Sequence, residues 1–186
     1  MDADASQPLP AFGFLTVLES PEHGFFGGYL VLSSQGRPLE FRCSTPIAPS
    51  RAQQILYGPT LRPYLLSEVI GQVLVAGSEL PVSVILTDQR DMLPLGLLRR
   101  EGIVLVEPLP EDGLLCASTS FAVAGCCLTP TELTEASNDE LLGMLAPLVA
   151  HVNLCEPFGR ILAALNEAQM ASHDAAEAPD DYAAAA

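Results

Sequence analysis

The chain has no lysine; all eight of its cationic side chains are arginine. That absence excludes a phosphate loop of the G-x-x-x-x-G-K-[ST] type, so the glycines of Gly24-Phe25-Phe26-Gly27-Gly28-Tyr29 read as a wide hairpin turn with Phe25 and Phe26 at its tip. Charged residues are few, 17% against a usual value of about 25%, which leaves room for an apolar interface. No apolar run approaches the roughly 18 residues of a membrane span. The first residues, Met1-Asp2-Ala3-Asp4, are acidic where a secretory signal would be basic. The five cysteines (43, 116, 126, 127 and 155) form no paired C-x-x-C knuckles. Together these absences suggest a cytoplasmic protein with reduced thiols packed in its core.

The charge that is present is unevenly placed. The chain carries a formal −15, yet residues 37–100 hold seven of the eight arginines against five acids. The acidic total argues against general nucleic-acid binding and against anionic membranes, both of which need a dense cationic surface. An arginine fork suits carboxylate or phosphate. Missing lysines are equally the mark of a codon bias.

Apolar patterning and turn residues predict strands over 12–19, 28–34 and 39–45 in a meander. A capped helix follows from Arg51 to Tyr57, with Ser50 and Gln53 spaced as a capping box. A second helix runs over 61–76 with Pro63 in its first turn, and Gly77 ends it. Residues 82–87 and 103–107 are apolar enough to be central strands, and 114–123 allows one more. Thr129-Pro130-Thr131-Glu132 reads as the start of a helical region reaching about 150, and residues 154–170 as a last amphipathic helix. The order implies an α+β domain over 11–170: a mixed sheet covered by helices mainly on one face, with a flexible leader at 1–10 and a disordered acidic tail at 171–186. The ending, Asp180-Asp181-Tyr182 and four alanines, resembles the tail appended during bacterial ribosome rescue, though it departs from that tail's Leu-Ala-Ala end.

Three constellations carry chemistry. Arg37, Arg42 and Arg51 surround a strand end and a helix N-terminus, an arrangement able to cradle an anion; an Arg42–Glu40 ion pair is the plainer alternative. Asp88 and Asp91 follow a buried strand and Glu107 ends the next, so the three could hold a divalent metal; an Asp that merely caps a turn is the alternative. Cys116, Cys126, Cys127, Cys155 and His151 could form a thiol or zinc site, but their acidic, apolar surroundings favour packing. The reading that follows is a non-catalytic binding protein for a protein partner or small anionic ligand, through residues 36–62 and without cofactor. Its rivals are a metal-assisted hydrolase or phosphotransferase using Asp88, Asp91 and Glu107, and a structural subunit docking through helix 61–76.

Overall fold

A computed structural model describes residues 10–111, 117–132 and 134–177. Seven strands form one mixed sheet: β1 (Ala11–Ser20), β2 (Gly24–Ser33), β3 (Pro38–Cys43), β4 (Val84–Thr87), β5 (Gly102–Pro108), β6 (Phe121–Val123) and β7 (Cys126–Pro130), in spatial order β3-β2-β1-β4-β5-β7-β6. Strands β1, β4 and β5 are mutually parallel, and the rest join antiparallel. The continuous apolar runs of β4 and β5 are buried on both faces, as parallel central strands must be.

The expected α+β mixed sheet is present. Among the described residues four helices accompany it, besides a 3-10 segment at Arg90–Leu97: α1 (Arg51–Tyr57); α2, a continuous run over 61–76; α3 (Asn138–Val149); and α4 (Glu156–Glu177). Cover lies on both faces rather than mainly one. On one side Leu65, Leu66, Ile70 and Leu74 of α2, with Met92 and Leu95 of the 3-10 segment Arg90–Leu97, pack on Leu15, Tyr29 and Ile85. On the other, Leu141, Leu145 and Leu148 of α3 and Phe158, Ile161 and Leu165 of α4 pack on Phe12, Phe14, Leu86 and Val104.

The capping box at Ser50 forms as its spacing predicts: the Ser50 side chain accepts from the Gln53 N–H at 3.2 Å and Gln53 returns the bond at 2.9 Å. Gly58-Pro59 interrupts the helical run as expected, since Gly58 caps α1 at a positive φ of 52°. It makes a 3-10 turn joining α1 to α2, which then widens into a π-helical stretch at Tyr64–Gly71. The tip reading of Phe25 and Phe26 is corrected: β2 already starts at Gly24, and both rings are buried. Glycine is needed at 27 and 28 for close approach, because a Cβ at 27 would run into Ile70 and one at 28 into Ile161, from opposite faces of the sheet. The helical start at Thr129 is corrected as well. Residues 126–130 are strand β7, and α3 begins only after Ser137, whose side chain accepts from the Glu140 N–H at 3.3 Å. Helix α4 runs seven residues beyond Met170, where the tail was expected to begin; residues 1–9 and 178–186 lie outside those described. Among the described residues no helix is long and apolar enough to cross a membrane.

Candidate functional site

The chain leaves β1 toward β2 on one side and leaves β4 toward β5 on the other, so the carboxyl ends of β1 and β4 form the point where the winding direction reverses. Sheets of this kind leave a crevice there. Leu15 pairs with Thr87, which sets Thr16 of β1 beside Asp88 at the exit of β4. Thr16 is fully buried between apolar neighbours in β1 and hydrogen-bonds the Asp88 side chain. Crowding by neighbouring atoms raises the Asp88 pKa above the usual carboxylate value, while the Thr16 bond works against that rise. The Asp88 side chain is nonetheless exposed, so solvent limits the upward push.

Gln89 fixes this corner. Its side-chain amide donates to the Val17 carbonyl at 2.7 Å and lies 3.5 Å from Thr16 Oγ1. Its own N–H donates to Thr87 Oγ1 at 3.2 Å. Arg62 arrives from α2. Its guanidinium binds Asp91 at 2.8 Å, pairs with Glu19 at the end of β1, reaches Gln89 Oε1 at 3.4 Å and sits 5.8 Å over the Phe25 ring. Arg90 grips Glu107 with two bonds from one nitrogen (3.0 and 2.8 Å) and one from Nε (3.2 Å). Beyond Glu107, Pro108 pairs with Cys126 of β7. Cys155, just before α4, is 2.9 Å from Cys126, sulfur to sulfur. Burial pushes the Cys155 thiol up to about 12, helped by Cys126 and by the charge of Asp88, which places the thiols within electrostatic reach of that carboxylate.

The three carboxylates expected to gather do not. Asp91 is engaged by Arg62 and Glu107 by Arg90, so each is held by a cation of its own. Among the described residues no group of three or more His, Cys, Asp or Glu side chains is placed to hold a metal ion. The residues therefore do not fit a preformed metal centre. The side chains of two members of the arginine trio are engaged separately too. Arg42 pairs with Glu40 at 3.4 Å, Arg51 reaches Gln54 at 3.5 Å, and Arg37 donates its backbone N–H to Ser33 Oγ at 3.2 Å. Of the cysteines, Cys126 and Cys127 are fully buried, as packing predicts, and Cys43 is exposed; Cys116 lies outside the described residues. Asp88 was legible from its place after a buried strand. Thr16, Gln89 and Arg62 were not, although a single Thr within the apolar run 14–18 is a weak signal.

No family model and no curated protein matches the chain by sequence. Solved structures do match. The catalytic domain of human endonuclease V aligns over 90% of this chain and 85% of its own, with 17% identity and a TM-score of 0.55. A second structure of human endonuclease V covers 89% of this chain and 86% of its own, at 17% identity and a TM-score of 0.49. The Ciona intestinalis endonuclease V, solved with a 23mer DNA containing an inosine, covers 75% and 77%, at 12% identity and a TM-score of 0.44. The last two likenesses are too loose to carry an argument. The first establishes a shared fold. It is a fold on which a nuclease catalytic domain is built, and this overturns the expectation of a non-catalytic protein- or anion-binding module. With it falls the exclusion of nucleic acid that net charge alone suggested.

Proposed function

We propose that this protein processes nucleic acid, with its site at the carboxyl ends of β1 and β4 and Asp88 as the reactive carboxylate. The observation that carries the reading is the position of Asp88. It is exposed and bonded to a buried threonine, at the reversal point of a sheet whose fold is shared with the endonuclease V catalytic domain. A carboxylate whose pKa is held up by its surroundings is suited to accepting a proton at neutral pH. Arg62 and Arg90 flank it as cations that can exchange a carboxylate partner for a phosphate oxygen. Function follows from the site and not from the fold, so the reading stands or falls on Asp88.

The test uses labelled single-stranded and duplex DNA, RNA, and strands containing deoxyinosine, each assayed for binding by anisotropy and for cleavage with and without added divalent cations. Binding is expected at low salt. With two arginines exchanging partners, log K should fall against log salt with a slope of about −2. Asp88→Asn should abolish cleavage and keep binding. Absence of binding to every strand at low salt, or cleavage that survives Asp88→Asn, refutes the proposal.

A further inference from the structure

We propose that Cys126 and Cys155 are a reversible disulfide site, a redox-operated clasp between β7 and the start of α4. The two sulfurs lie 2.9 Å apart, so a bond requires them to close by only about 0.9 Å. Asn153 holds both. Its Oδ1 accepts from the Cys155 backbone N–H at 2.9 Å and from the Cys126 thiol at 3.5 Å. The other described cysteines are poorly placed to compete. Cys127 is the next residue along β7 and points to the opposite face of the sheet, and Cys43 is on β3, separated from β7 by four strands.

Exposure sets the order of events. Cys155 is half-buried and Cys126 fully buried, so a small disulfide reagent meets Cys155 first. The Cys155 thiol loses its proton, a step its raised pKa makes slow at neutral pH and faster as pH rises, and its sulfur attacks one sulfur of the reagent. The reagent's S–S bond breaks, a mixed disulfide forms, and one reagent thiol leaves carrying that proton. The Cys126 sulfur, losing its own proton, then attacks the Cys155 sulfur and expels the second reagent thiol. Two S–H bonds are lost and one S–S bond is gained; the reagent takes up two electrons and two protons. The clasp ties the start of α4 to the strand pair next to Asp88. It does not depend on the nucleic-acid reading, because linkage is read by mass, and the Asp88→Asn protein should form it too.

The experiment equilibrates the full chain in glutathione buffers of rising disulfide-to-thiol ratio, quenches with acid, blocks free thiols and maps the digest. The expected product is one cross-linked peptide pair joining Cys126 to Cys155, about 2 Da lighter than the two reduced peptides together. Dithiothreitol should restore both thiols, and Cys155→Ser should abolish the linkage. Three results overturn the proposal. Cys126 and Cys155 stay free at ratios where Cys43 is already glutathionylated; Cys155 stops at the mixed disulfide; or Cys126 links to another cysteine.

Discussion

Tyr29 offers a quantitative check on the packing that holds β1 in place. Its ring is fully buried in β2, and its hydroxyl has no hydrogen-bond partner. The ring crosses the position of Gly13, where a Cβ would come within 2.6 and 2.8 Å of ring carbons. An unmet buried hydroxyl costs about 1–3 kcal/mol, so Tyr29→Phe, which keeps the ring, should stabilise the protein by about 1–2 kcal/mol. For a chain of this size that raises Tm by about 2–8 °C. Burial, joined by the charges of Glu101 and Glu40 and opposed by Arg99, pushes the phenol well above its ordinary pKa. A raised tyrosine pKa gives stability that is intact below about pH 10 and lost as pH rises, at about 1.4 kcal/mol per pH unit. The advantage of Tyr29→Phe should therefore widen above pH 10. Gly13→Ala should cost about 1–3 kcal/mol in either background, since the ring carbons remain when the hydroxyl is gone. Urea denaturation of the four proteins at pH 7 and of the first pair at pH 10.5 decides it. A Tyr29→Phe protein less stable than wild type would show that the hydroxyl is satisfied, and the reasoning would fail.

Other outcomes follow from single contacts. Ser137→Ala removes the cap of α3 and should cost about 1 kcal/mol by urea denaturation, with Ser137→Asp restoring most of it. For Glu101, burial pushes upward, but the Arg99 side chain and nearby backbone N–H groups prevail and leave its carboxyl below the usual range. Its contribution is therefore present above the unfolded pKa near 4 and is lost as pH falls through the folded value; Glu101→Gln should flatten the acid limb of a stability–pH profile. Asp88 has the opposite sign. Its raised pKa weakens folding as pH rises past the carboxylate range, so Asp88→Asn should melt no lower than wild type at pH 7 even as it loses activity.

What could be read from the residues was whatever they encode locally. The strands expected at 82–87 and 103–107 announce themselves as central because Val84–Leu86 and Ile103–Val106 are unbroken apolar runs, and Ser50 with Gln53 announces its helix through a spacing of three. The errors came where one local signal has two physical causes. Gly27 and Gly28 read as turn residues, yet they are strand positions that give Ile70 and Ile161 room to approach. Thr129-Pro130-Thr131-Glu132 has the form of a helix start, yet Thr129 and Pro130 pair with Leu105 and Val104 of β5, and the working cap is Ser137 with Glu140. The site divides the same way. Asp88 follows from the end of a buried strand. Arg62 reaches Asp91 and Glu19 across 29 and 43 residues of chain, and Cys126 meets Cys155 across 29, separations that only the assembled sheet brings together.

On the proposed reading, net charge misleads about partners for a related reason. A total of −15 describes the far field, which salt screens beyond about 10 Å. A phosphate at the reversal point of the sheet would meet Arg62 and Arg90 at closer range than that. Each is now neutralised by carboxylates that are themselves partly exposed, with 26% to 54% of their side-chain surface open. Ion pairs this exposed contribute little to stability, so exchanging one for a phosphate costs little. The acidic remainder of the surface would then suppress indiscriminate binding and leave a short stretch of strand held at one place. That is the behaviour expected of an enzyme acting on a local feature, not of a protein that coats nucleic acid. It is also why the salt slope should be near −2 and not the steep slope of a basic groove.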